Sequence, residues 1–68
     1  MYDHVKKSLN KNGELMIKMS EGQTFELHLH NCSFDDENRL IEIDAGDETY
    51  WLNGDDVSYM WIHRSAIE

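Results

Sequence analysis

Glu14-Leu15-Met16-Ile17-Lys18-Met19-Ser20-Glu21-Gly22-Gln23-Thr24-Phe25-Glu26-Leu27-His28-Leu29 is the stretch on which the fold turns. Leu15, Ile17 and Met19 recur at every second residue, as do Phe25, Leu27 and Leu29, and a period of two marks strands that bury one face. Ser20-Glu21-Gly22-Gln23 lies between the two runs and supplies a turn, so the stretch predicts a β-hairpin. The second strand is predicted to continue to about Phe34 as one long bent strand. Phe25, Leu27 and Leu29 then lie on one face, with Glu26, His28, His30 and Cys32 on the other.

Outward from the hairpin, Tyr2, Val5 and Leu9 carry helical spacing instead, predicting a helix over residues 1–10 that Asn10-Lys11-Asn12-Gly13 ends. Asp3 near its start and Lys6 and Lys7 further along have the polarity that the helix dipole favours. Downstream, Asp35-Asp36-Glu37-Asn38 turns the chain, and Ile41 and Ile43 alternate with Glu42 and Asp44 in a third strand. Thr49-Tyr50-Trp51-Leu52 gives a fourth strand, Asn53-Gly54-Asp55-Asp56 a tight or 3₁₀ turn, and Val57 to His63 a fifth. One domain over residues 1–68 is expected, mainly β, with the short helix followed by a five-stranded small barrel over 14–64.

The chain has 68 residues, about the lower limit for a self-sufficient core, and its one cysteine, Cys32, excludes an intrachain disulfide. A free thiol and the lack of an apolar leader predict a cytoplasmic protein, and no run approaches the roughly 20 apolar residues that span a bilayer. Fourteen acidic against six basic residues give a formal charge of -8, which opposes nonspecific nucleic-acid binding. Lys6, Lys7, Lys11 and Lys18 place four of the six cations before the second strand. Any anion-binding surface is therefore expected toward that end.

The order of elements, a short helix, a first strand, a long bent second strand, an acidic turn and two closely spaced final strands, resembles the Sm-like (LSm/Hfq-type) family of SH3-like small barrels. Phe34-Asp35-Asp36-Glu37-Asn38-Arg39-Leu40-Ile41 is similar to that family's turn, with an aspartate and an asparagine ahead of an apolar strand. The resemblance implies a ring of identical subunits joined by the fourth strand of one to the fifth of the next. It also implies RNA near Asp35, Asn38 and Lys7, although three adjacent acids at that turn repel phosphate.

In the fifth strand Val57, Met60 and Ile62 can supply the core, which leaves Tyr59, Trp61 and His63 on the opposite face, near Trp51 of the preceding strand. Those four residues make either an interface or an extension of a small core, since large aromatics serve both. His28-x-His30-x-Cys32 projects three metal-ligand types from one strand face, with His63 or His4 as a fourth. An outward face beside Glu26 collects histidines without a metal too, and no cofactor is expected. Cys32 with His30 or His63 lacks a glycine-rich anion hole, which points away from an enzyme. The sequence therefore reads as a noncatalytic binding or assembly module that makes protein–protein contacts, itself included. The alternatives are an Sm-like RNA-binding ring and an acidic decoy that occupies the basic site of a nucleic-acid-binding protein.

Overall fold

The computed structural model describes residues 1–63; Arg64, the last residue of the expected barrel, lies outside the described residues. The chain runs through α1 (Tyr2–Asn12), β1 (Glu14–Met19), β2 (Thr24–His28), β3 (Cys32–Asp35), β4 (Leu40–Asp44), β5 (Thr49–Asn53), a 3₁₀ turn (Gly54–Asp56) and β6 (Val57–Trp61). The fold is mainly β with an N-terminal helix, as the periodicities indicate. Its six strands form two antiparallel sheets, ordered β2-β1-β6 and β3-β4-β5. Among the described residues no helix is long and apolar enough to cross a membrane.

Tyr2, Val5 and Leu9 are the buried face of α1. The helix continues past Asn10 to Asn12 because the residue that stops it is Gly13, in the left-handed conformation (φ 81°). That conformation costs glycine little, and it lets the Gly13 amide donate to the Leu9 carbonyl at 2.8 Å. Below the helix, Leu15, Ile17, Met19, Leu27, Ile41, Ile43 and Val57 complete the buried core, with Phe25, Phe34, Leu52 and Met60 packed against it.

The long bent second strand is two strands, β2 and β3. The Asn31 side chain accepts the His28 backbone N–H at 2.8 Å, and the Asn31 N–H donates back to the His28 carbonyl at 3.1 Å. This local exchange replaces ladder hydrogen bonds, so pairing stops at His28. Leu29, assigned by alternation to the core, lies in the resulting turn and is 53% exposed. A second irregularity falls in β6, where Met19 pairs with Val57 but Lys18 pairs with Tyr59. The extra residue, Ser58, is a β-bulge that lets Val57 and Met60, three apart, both turn toward the core. Ile62, also assigned to the core, is 37% exposed.

The start of α1 is fastened to the connection between β5 and β6. Asp55 accepts the Tyr2 backbone N–H at 3.3 Å, satisfying one of the orphan donors of the helix N-terminus from a distant part of the chain. The same carboxylate takes two hydrogen bonds from Arg39, 2.6 Å from Nε and 2.9 Å from Nη2. Arg39 sits at φ 58°, in the left-handed region, and its guanidinium lies 4.9 Å from the centre of the Tyr2 ring. On its other side Tyr2 meets Phe34 edge to face, with ring centroids 5.8 Å apart. The Tyr2 hydroxyl donates to Asp36 at 2.6 Å, and Lys6 donates to that carboxylate at 2.8 Å. Burial, with Asp36 next to it, pushes the Tyr2 phenol up to about 12.

Gly54 is what allows this approach. A Cβ there would collide with Tyr2 Cδ1 and lie 2.9 Å from Tyr2 Cβ and 3.0 Å from the Arg39 carbonyl oxygen, with the buried helix behind it. Gly54→Ala is expected to destabilise the fold by about 1–3 kcal/mol, read as a lowered urea midpoint at unchanged slope.

The Arg39 guanidinium holds the Asp55 carboxyl well below the usual carboxylate range. A depressed aspartate contributes its stability in full above the unfolded value of about 4 and loses it as pH falls toward the folded value. Thermal melts from pH 7 to pH 2 are therefore expected to show a fall in melting temperature below about pH 4, and Asp55→Asn should make that acid limb shallower.

Candidate functional site

Strands β5 and β6 each have one hydrogen-bonded neighbour among the described residues, β4 and β1 respectively. The outer edge of each is therefore a row of unpaired backbone groups. Neither strand contains a charged side chain: β5 reads Thr49-Tyr50-Trp51-Leu52-Asn53 and β6 reads Val57-Ser58-Tyr59-Met60-Trp61. In a chain that is 29% charged, two consecutive strands with none stand apart. The strands at the other ends of the two sheets, β2 and β3, carry Glu26 and Asp35.

Tyr50, Trp51 and Tyr59 on these strands are presented outward. Trp51 is 61% exposed and is held over β4 by a hydrogen bond from its indole N–H to Glu42 at 3.3 Å, across the register pair that the two residues form. Tyr50 packs on Phe25 with ring centroids 5.6 Å apart and donates its hydroxyl to Glu48, which raises the pKa of the phenol. In β6, Tyr59 is 50% exposed and leans on Trp61 at 5.5 Å, while Lys18 on β1 sets its ammonium 5.8 Å from the Tyr59 ring. Trp61 in turn stands opposite Met16. His63 is exposed beyond the end of β6.

The expected cluster of Trp51, Tyr59, Trp61 and His63 is therefore two patches. Trp51 belongs to the β3-β4-β5 sheet and Tyr59 with Trp61 to the β2-β1-β6 sheet, and among the described residues no aromatic pair links them. The reason is the 3₁₀ turn Gly54–Asp56, which carries the chain from one sheet to the other. Each patch accompanies one free edge.

At the acidic turn, Asp35 braces its own loop. It accepts the backbone N–H groups of Glu37 at 3.1 Å and Asn38 at 3.2 Å, and the Asn38 side-chain amide at 3.0 Å. These bonds, the Asn38 side chain foremost, depress the Asp35 carboxyl. Asp36 next to it holds Tyr2 and Lys6. Lys7 is exposed on α1.

The motif His28-x-His30-x-Cys32 is interrupted by the turn at Asn31. His28 and His30 stack at 5.4 Å, whereas Cys32 begins a strand of the other sheet and donates its thiol to the Asn31 side chain at 3.2 Å. Burial pushes the Cys32 thiol up, the opposite of what a nucleophilic thiolate requires. The carboxylates that do stand next to His28 are Glu14 and Glu26. Alternation alone marked Glu26 as its neighbour on the strand, but Glu14 is reached only through the hairpin register that pairs it with His28.

No protein-family profile, curated protein or solved structure matches this chain.

Proposed function

We propose that this chain is a noncatalytic assembly module of the Sm-like kind, a small open barrel whose copies join edge to edge, β5 of one against β6 of the next. The observation that carries this reading is the pairing deficit of two neighbouring strands that lack charge. Natural sheets guard exposed edges with charged side chains, proline or bulges that twist the edge away, because an unguarded edge recruits another strand. Here β2 and β3 carry a guarding acid, while β5 has no such device and β6 has only the bulge at Ser58, near its start.

Two different edges on one chain favour a heterologous contact, in which one surface of each copy meets the other surface of its neighbour, and such contacts close into rings when the rotation permits. Tyr and Trp next to each edge supply the apolar, low-entropy contact area on which interface affinity concentrates. The Sm-like likeness rests on element order: helix, hairpin, a strand pair that continues one into the other around Asn31, an acidic turn, and two strands joined by a single 3₁₀ turn. RNA at the acidic turn is not favoured. Asp35 and Asn38 bond to each other, and Asp36 and Glu37 add negative charge at the place where phosphate would have to approach.

The test is complementation. The wild type is expected to run as a discrete multimer by light scattering, and Trp51→Lys and Tyr59→Lys are each expected to run as monomers. An equimolar mixture of the two variants is expected to form a dimer, because each retains one intact edge that fits the other's. A wild type that stays monomeric at every concentration, or variants whose mixture shows no dimer, would overturn the proposal.

A further inference from the structure

On the outer face of the β2-β1-β6 sheet, at the end away from Lys18, the register assembles a set of metal-ligand side chains. Glu14 on β1 is the register partner of His28 on β2, and Glu26 lies two residues before His28, hence on the same face. One ligand atom from each of these three residues falls within 4.8 Å of the other two. His28 Nε2 is 3.0 Å from a Glu26 carboxylate oxygen.

The opposite flank is occupied as well. Trp61 pairs with Met16 in the last pair of that ladder, and the same register carried two residues past the end of β6 would set His63 opposite Glu14. His63, Glu14 and Glu26 line one surface depression, together with Leu15, Met16 and Ile62. His63 lies outside the group of ligand atoms that fall within 4.8 Å of one another, so its ring has to turn toward Glu14 to join the site.

We infer that Glu14, Glu26 and His28, with His63 as the fourth ligand, bind a borderline divalent transition-metal ion such as zinc. Two carboxylates and two imidazoles are the donor types that zinc accepts, and four protein ligands are the number that a structural zinc site uses. An all-oxygen set would suit calcium or magnesium, and a thiolate set copper(I). Cys32 contributes nothing, being half-buried at the start of a strand of the other sheet. A bound cation offsets the repulsion between the two carboxylates, and the net charge of -8 favours cation uptake. Glu14, Glu26 and His28 stand on paired strands, which fix their spacing before the ion arrives.

The experiment is equilibrium dialysis of the untagged chain against zinc, with metal analysis and competition by a chromogenic chelator. One zinc per chain is expected, with affinity reduced roughly tenfold or more in His28→Ala, in Glu14→Gln and in His63→Ala. His4→Ala and Cys32→Ser are expected to bind as the wild type does, and circular dichroism verifies that each variant is folded. Uptake in several weak equivalents, zinc binding that survives His28→Ala, or an equal loss in Cys32→Ser would overturn the inference.

Discussion

The fold depends on the seat that Gly54 offers to Tyr2. Where β5 ends, the chain must leave one sheet and enter the other, and it does so in a single 3₁₀ turn whose first residue has no side chain. The first residue of the helix fills that space, its ring lies under the Arg39 guanidinium, and its amide is held by Asp55. One contact therefore fixes the helix over the core and the path of the chain between the sheets. Arg39 accepts a left-handed backbone at the same place, where its carbonyl receives the Gly54 N–H at 2.9 Å. A strained conformation of that sort persists only when its surroundings hold it, as the ion pair and the aromatic contact do here.

Separation of β5 from β6 is the consequence on which the proposed edge-to-edge assembly rests. Had the two strands paired as a hairpin, each would have covered an edge of the other. The turn instead delivers them to different sheets, so each keeps an open edge and an aromatic patch of its own. The distribution of charge agrees with this arrangement. The carboxylates lie in the turns, at the start of α1 and on β1, β2, β3 and β4, and the two strands with open edges carry none. A protein with such a strongly negative surface gains solubility from its turns and can leave these two strands apolar enough to be covered.

Much of this was legible in the residues themselves. Helical spacing of Tyr2, Val5 and Leu9 named the buried face of α1, and alternation named Leu15, Ile17, Met19, Leu27, Ile41 and Ile43 as core. The helix runs to Asn12 because Asn10 is tolerated inside a helix and only Gly13 adopts the stop conformation cheaply. The break at Asn31 left no mark on the alternation, since it comes from one side-chain hydrogen bond to the backbone. Residue type marks Tyr59 and Trp51 as contact residues but does not tell that they belong to different sheets, a property of the intervening turn. The proximity of Glu14 to His28 depends on hairpin register, which pairs Lys18 with Thr24 around the turn and so carries the pairing back to Glu14 and His28. The clamp of Arg39 on Asp55 spans sixteen residues with no local signature.

Amide hydrogen exchange across a dilution series tests the central claim, that β5 and β6 are covered by each other in the assembled protein. At high concentration the outward amides of both Thr49–Asn53 and Val57–Trp61 should be protected, and on dilution both should lose protection together while the inward amides stay slow. Outward amides on both strands that exchange freely at every concentration would contradict the account.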